Sequence, residues 1–358
     1  MTTQASRSPQ TPESHRLPVA VLTGFLGSGK TTLLNRLLHH PDMGDAAVIV
    51  NEFGEVGIDN ALIEASNEDI VLLPSGCLCC TVRGDLVNTL RDLWTKRALG
   101  AVPPFRRVII ETTGLADPAP IIHTLMTLPV TQRYRLDVVL TTVDAVNGAA
   151  TLDRYPEAVK QSAVADRLLL TKTDLATGAT VEALRARLKA LNPAAPVALA
   201  DDSLAPDKLF DTALYDPATK TVDVQNWLRA EAYAGHATRA QELAQRHADG
   251  IDSFCLVIDA PLEWRHVAAW LDLLAGHRGE RLLRVKGIFN VRDASGPIVI
   301  HAVQHLFHPP VQLERWPDQD RRSRVVFITR DLPRHIIEET LLTLRQASAA
   351  DASSLAPT

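Results

Sequence analysis

Cysteine is scarce in this sequence, as are long apolar runs and any excess of basic charge. Four cysteines occur in 358 residues, three of them crowded together as Cys77, Cys79 and Cys80 and the fourth alone at Cys255. That distribution excludes the even, spread-out framework of a disulfide-stapled secreted domain, and thiols stay reduced in the cytosol. A cytoplasmic location is the expectation. No apolar stretch approaches the roughly 20 residues that a bilayer span needs. The opening MTTQASRSPQTPESHR has no apolar signal core, so no membrane partner is expected. A formal charge of −5 offers no basic field for a phosphate backbone, which disfavours nucleic acid as a partner.

What is present is enough apolar material, 46% of 358 residues, for two cores. From Leu17 onward short β-rich runs alternate with longer helical patterns, the mark of βαβ units around a parallel sheet. Strands are predicted at Pro18–Thr23, Ala46–Asn51, Ile70–Leu73, Arg107–Thr112, Leu136–Val143 and Arg167–Thr171. Their nearly continuous apolar character predicts burial on both faces, with helices above and below. The pattern weakens around Tyr215–Gly250 and then resumes with a strand and helix in FCLVIDAPLEWRHVAAWLDLLAG, strands in RLLRVKGIFNV, PIVIHAVQ and SRVVFIT, and a closing helix. The expected organisation is therefore a disordered tail over 1–16, an α/β domain over 17–214, a linker over 215–250, a smaller α+β domain over 251–347 and a frayed end over 348–358.

The segment VLTGFLGSGKTTLLNRLL carries Gly24, Gly29, Lys30 and Thr31 in the G-x-x-x-x-G-K-[ST] spacing, between a strand and a helix. Glycines let the backbone N–H groups turn toward phosphate oxygens, the helix N-terminus adds positive potential, Lys30 neutralises charge and Thr31 can hold Mg²⁺. A nucleoside triphosphate is the predicted ligand. A second strand should supply an acid, and RRVIIETTGLADP places Glu111 at a strand end with Gly114 three residues on, an E-x-x-G arrangement in which Gly114 offers its N–H to the γ-phosphate. The predicted catalytic group is thus Lys30, Glu111 and Gly114. Base choice is read from RLLLTKTDLA, where Thr171, Lys172 and Asp174 match [NT]-K-x-D. The Asp174 carboxylate can accept from guanine N1–H and its 2-amino group, whereas adenine would leave it unsatisfied. Threonine where asparagine is more usual predicts looser loop contacts.

Cys77, Cys79 and Cys80 follow Pro74, Ser75 and Gly76, which bend the chain after a strand. Three thiolates in a loop suit Zn²⁺ or another thiophilic ion and leave a fourth coordination position open. Small buried hydrophobes or a redox function are the alternatives, and three thiols within four residues favour metal.

In this order, TGFLGSGKTTLLNRLL, NEFGEVGID, GCLCC, ETTGLADPAP and TKTD resemble the CobW-type GTPases, which include zinc-regulated GTPase metalloprotein activators, cobalamin-biosynthesis proteins and nitrile hydratase activators. RVKGIF, LFHPP and RSRVVFIT resemble that family's smaller C-terminal domain. The resemblance implies a SIMIBI-like P-loop NTPase fold, a mostly parallel sheet with helices on both faces, followed by the α+β domain. It further implies GTP and Mg²⁺ at Gly24, Phe25, Leu26, Gly27, Ser28, Gly29, Lys30, Thr31 and Thr32, with Glu111 beside the magnesium, and a transition metal at Cys77, Cys79 and Cys80. Lys172 and Asp174 would select guanine. NEFGEVGID would be a switch segment in which Glu52, Glu55 and Asp59 contact Mg²⁺, water, nucleotide or an auxiliary metal, or merely form a solvated acidic loop.

The expected activity is GTP hydrolysis, slow in isolation because no arginine finger or glutamine is placed by the motifs, with Arg83 the nearest candidate. The expected function is a GTP-dependent chaperone that passes zinc to a client apo-metalloprotein. A regulatory GTPase with structural zinc, or a cobalt chaperone for cobalamin synthesis or nitrile hydratase, is the alternative; Co²⁺ is the runner-up metal. An ATP-dependent kinase is opposed by TKTD. The region between domains holds only His236 and His247, against a histidine-rich metal reservoir. His301, His305 and His308 fit strand alternation or a partner-facing edge as well as metal. No interface is marked, and a homodimer is left open.

Overall fold

The computed structural model describes residues 16–51, 71–75, 82–201, 204–210 and 250–343. Seven parallel strands form the first sheet: β1 (Leu17–Gly24), β2 (Ala46–Asn51), β3 (Val71–Ser75), β4 (Arg107–Glu111), β5 (Tyr134–Asp144), β6 (Arg167–Thr171) and β7 (Val197–Leu199). Their order is β3-β2-β4-β1-β5-β6-β7. Six of them were legible as apolar runs. The seventh, β7, is three residues inside the Pro- and Ala-rich NPAAPVALA, too short to carry a periodic signal.

Alternation along each strand decides which helices cover which face. Val19 and Val21 of β1, with Ile110 of β4, join a core built on Leu86, Leu90 and Leu93 of α2 (Val82–Ala98) and Ile121 and Leu125 of α3 (Ala119–Leu125). Ala20 and Leu22 instead join Leu33, Leu34, Leu37 and Leu38 of α1 (Lys30–Leu38) on the opposite face. Helices α4 (Gly148–Arg154), α5 (Pro156–Val164) and α6 (Gly178–Leu191) complete the cover around β6. Burial on both sides is why the strands read as unbroken apolar runs.

A second sheet is antiparallel: β8 (Ile251–Ile258), β9 (Leu282–Phe289), β10 (Ile298–Val303), β11 (Leu306–Phe307), β12 (Val311–Gln312) and β13 (Ser323–Arg330). One face packs on α7 (Trp264–Arg278) and on helical residues 334–343, with Trp270, Val285, Phe289 and Phe327 at its centre. The other face meets the first unit through polar as well as apolar contacts. Arg284 and Lys286, alternate residues of β9, converge on Asp166 at the foot of β6, and all three side chains are buried. Asp166 is fixed in turn by the Val139 N–H, which donates to its Oδ2 at 2.9 Å. His123 of α3 meets the Val303 carbonyl oxygen at 2.6 Å.

Among the described residues no helix is long and apolar enough to cross a membrane. The predicted linker over 215–250 apart from Gly250, the cysteines at 77, 79 and 80, and Glu52, Glu55 and Asp59 of the predicted switch lie outside the described residues. So do both predicted tails, apart from Arg16.

Candidate nucleotide site

Parallel pairing sets Leu22 of β1 opposite Glu111 of β4 and Gly24 opposite Thr142 of β5, so three strand ends meet at one carboxyl edge. That edge is where α/β sheets form ligand crevices. The chain leaves β1 through a loop closed by Gly29, which caps α1 with φ 86° and ψ 22°. This left-handed conformation costs glycine little and most side chains much. It turns the loop so that α1 begins at Lys30 with its first N–H groups facing the loop, an arrangement suited to an anion.

The Lys30 ammonium folds back over the loop, donating to the carbonyl oxygens of Gly24 at 2.9 Å and Phe25 at 3.2 Å, and its side chain is buried. Thr31 Oγ1 donates to Glu111 Oε1 at 2.8 Å across 80 residues of sequence. Glu111 is buried at 4% exposure, so this acid is a structural part of the site and no solvated strand end. The adjacent Thr112 donates its hydroxyl to Thr23 Oγ1 at 2.8 Å and its N–H to the Leu22 carbonyl at 2.9 Å, binding the two strand ends together. Gly114 then runs directly against the loop. A Cβ built there would stand 2.6 Å from the Leu26 nitrogen, so only a residue without a side chain fits.

On the other flank, Thr171 Oγ1 donates to the Ser28 carbonyl oxygen at 2.7 Å, while Ser28 Oγ lies 2.7 Å from Thr142 Oγ1. Thr171 thus touches the loop directly, because β6 brings its hydroxyl under the Ser28 carbonyl. Lys172 takes φ 55° and sends its ammonium 2.7 Å from Asp144 Oδ2. Asp144 was not read as functional, although VDAVN at a strand end is a recognisable Asx turn; it accepts from the N–H groups of Val146 at 2.8 Å and Asn147 at 3.1 Å. Burial alone would push its carboxyl up, but the Lys172, Asn147 and Val146 hydrogen bonds outweigh that and hold it below the usual carboxylate range. Asp174, in a 3₁₀ turn at Thr173–Leu175, is exposed beside this loop.

The predicted residues Gly24 to Thr32, Glu111, Gly114, Lys172 and Asp174 therefore gather at one end of the sheet. A cavity of about 270 Å³ lies beside them, between the loop and α5, lined by Phe25, Gly27, Thr142, Asp144, Asn147 and Gln161 among others. Arg83 falls in α2, in a stretch whose side chains are not described. The three second-sheet histidines do not converge: His301 stacks on His308 with ring centres 4.5 Å apart, whereas His305 packs on His123 at 4.9 Å. Among the described residues no group of three or more His, Cys, Asp or Glu is arranged to hold a metal.

Comparison with known proteins places this geometry. Residues 18–199 match the family model described as CobW/HypB/UreG, nucleotide-binding domain, and residues 251–345 match the cobalamin synthesis protein cobW C-terminal domain. Across 332 residues the chain is 34% identical to the zinc chaperone YjiA of Escherichia coli (strain K12), covering 92% of this chain and 99% of that protein. It is 32% identical over 253 residues to zinc-regulated GTPase metalloprotein activator 1 of Dictyostelium discoideum, covering 60% of this chain and 52% of the relative. The crystal structure of the Zn(II)-bound YjiA GTPase from E. coli superposes with a TM-score of 0.69 at 29% identity, over 92% of this chain and 99% of that one. The chain belongs to the CobW/HypB/UreG family, with the nucleotide-binding domain followed by the CobW C-terminal domain.

Proposed function

We propose that this protein is a GTP-hydrolysing zinc chaperone, in which Cys77, Cys79 and Cys80 hold the zinc that is passed to a client apo-metalloprotein. One observation carries the coupling of nucleotide to metal. The first sheet is wholly parallel in order β3-β2-β4-β1, so the end of β3 at Ser75, two residues before Cys77, emerges on the same edge as the Gly24 loop and Glu111. Neighbouring strands lie about 4.8 Å apart, which sets the ends of β3 and β1 about 14 Å from one another. A change at the phosphate loop has only a short distance to travel.

In this reading Lys30 and the loop N–H groups take the β- and γ-phosphates, Gly114 meets the γ-phosphate with its N–H, and Asp174 selects guanine. Magnesium takes oxygen donors, and the hydroxyl and buried carboxylate of Thr31 and Glu111 fit it; bound there, it would neutralise charge on the phosphates. Loss of the γ-phosphate releases the contact with Gly114 and loosens the edge that β3 shares, lowering the grip on zinc. Three thiolates with an open fourth position suit a site that must give its metal away. Zinc is preferred over cobalt because a relative of nearly full coverage, YjiA, is named a zinc chaperone.

The test loads reduced protein with zinc and follows its capture by a chromogenic chelator during GTP turnover. Zinc release should keep pace with phosphate release and stall with a non-hydrolysable analogue. Release at one rate in both conditions would leave a GTPase with a static zinc site.

A further inference from the structure

Helix α5 grips the segment that follows Glu111 by two neighbouring residues. Gln161, fully buried, donates from Nε2 to the Gly114 carbonyl oxygen at 3.1 Å and to the Ala116 carbonyl oxygen at 3.0 Å. Two carbonyl acceptors dictate that its NH₂ group, and not its oxygen, faces the segment. Its own backbone is tied to β5, since Thr141 Oγ1 donates to the Gln161 carbonyl at 2.9 Å. Lys160 pairs with Asp117 Oδ2 at 3.1 Å, and the same oxygen accepts at 3.1 Å from Nε2 of Gln304, in the turn between β10 and β11. The segment is thereby held on one side by α5 and against the phosphate loop at Leu26 on the other.

We infer that Gln161 is a positioning residue for γ-phosphate recognition, bracing the turn over residues 113–116 so that the Gly114 N–H can reach a triphosphate. The Gly114 N–H belongs to the planar peptide that carries the Thr113 carbonyl, and that carbonyl accepts from the Ala116 N–H at 3.1 Å; by holding the Gly114 and Ala116 carbonyls, Gln161 braces the turn that this bond closes. A diphosphate does not extend to Gly114, so the loss of Gln161's donors should be felt by GTP and not by GDP. A buried amide that only held α5 to its neighbours would affect both nucleotides alike. The inference rests on the proposed contact between Gly114 and the γ-phosphate.

The test measures the affinity of the full chain, with Mg²⁺, for fluorescent GDP and for a fluorescent non-hydrolysable GTP analogue. Gln161→Met keeps the buried volume and removes both donors. It should weaken the GTP analogue about tenfold while GDP stays within about twofold. Equal weakening of both, or of neither, overturns the inference. Because a methyl at Gly114 would press on Leu26 of the phosphate loop, the control for the underlying contact is the Gly114 backbone amide signal of ¹⁵N-labelled wild-type protein: a signal that differs between the GTP analogue and GDP, with discrimination kept in Gln161→Met, refutes the role of Gln161 alone, and a signal identical in both states refutes the contact itself. Should Gln161→Met not fold, the side-chain NH₂ signals of Gln161 in ¹⁵N-labelled wild-type protein decide the matter. They should shift and exchange more slowly with the GTP analogue than with GDP, and identical signals in the two states would overturn the assignment.

Discussion

Thr171 holds the phosphate loop by one hydroxyl, donating to Ser28 at 2.7 Å and lying 3.3 Å from the Val143 carbonyl. Because the group is buried, Thr171→Val leaves the Ser28 carbonyl without that donor, at a cost of about 1–3 kcal/mol. Guanine-nucleotide affinity should fall accordingly, for GDP and GTP alike, and Thr171→Asn should restore it. Unchanged affinity in Thr171→Val would mean that Thr142 and the helix alone shape the loop. At this scale the sequence was most informative where spacing is local: Gly24 to Thr32 and Thr171 to Asp174 are read from runs of a few residues. Thr31 and Glu111 were proposed for one site from two separate motifs, and their 2.8 Å bond follows from the β1–β4 register. Gln161 and Asp144 escaped because a single glutamine in a helix, or an aspartate at a strand end, carries no signal until the fold sets it against a partner 45 or 28 residues away.

Elements were legible in proportion to their length and burial. The long apolar strands β1 and β5 and the shorter, largely apolar β6 stood out, whereas β7, β11 and β12, of three, two and two residues, did not. The junction between the sheets was not legible at all, because it is built by alternate residues of β9 and β10 that look like ordinary polar positions in a strand. It nonetheless makes a specific claim about pH. His301 of β10 is buried, stacked on His308 and near Arg284 and Lys286 of β9, whose counter-ion Asp166 comes from the first unit. Burial first, then His308 and the two β9 cations, holds its imidazole well below the ordinary range; burial likewise lowers His308, with Arg16 adding to the effect. The native state therefore binds fewer protons than the unfolded chain, whose histidines titrate near 6.5. Stability is fully present above about 6.5 and is lost as the pH falls below it, by up to about 1.4 kcal/mol per pH unit for each histidine. Urea unfolding at pH 7.5 and 5.5 should show this loss, and His301→Gln should reduce it. The same pH dependence in wild type and variant would exclude His301 as its source.

For the whole molecule, the parallel order β3-β2-β4-β1 brings the phosphate loop, the buried acid and the exit toward the cysteines to one edge. Asp117, bonded to both Lys160 and Gln304, then links that edge to the second sheet. Family membership was legible from the order of five short motifs, since each is a local pattern whose chemistry needs fixed spacing. The most direct test of nucleotide-controlled zinc binding is a Zn²⁺ competition titration of reduced protein with Mg²⁺ and either GDP or a non-hydrolysable GTP analogue, repeated on Cys79→Ala. Much tighter zinc binding with the GTP analogue, abolished in Cys79→Ala, is the predicted result; equal affinity in both nucleotide states would contradict it.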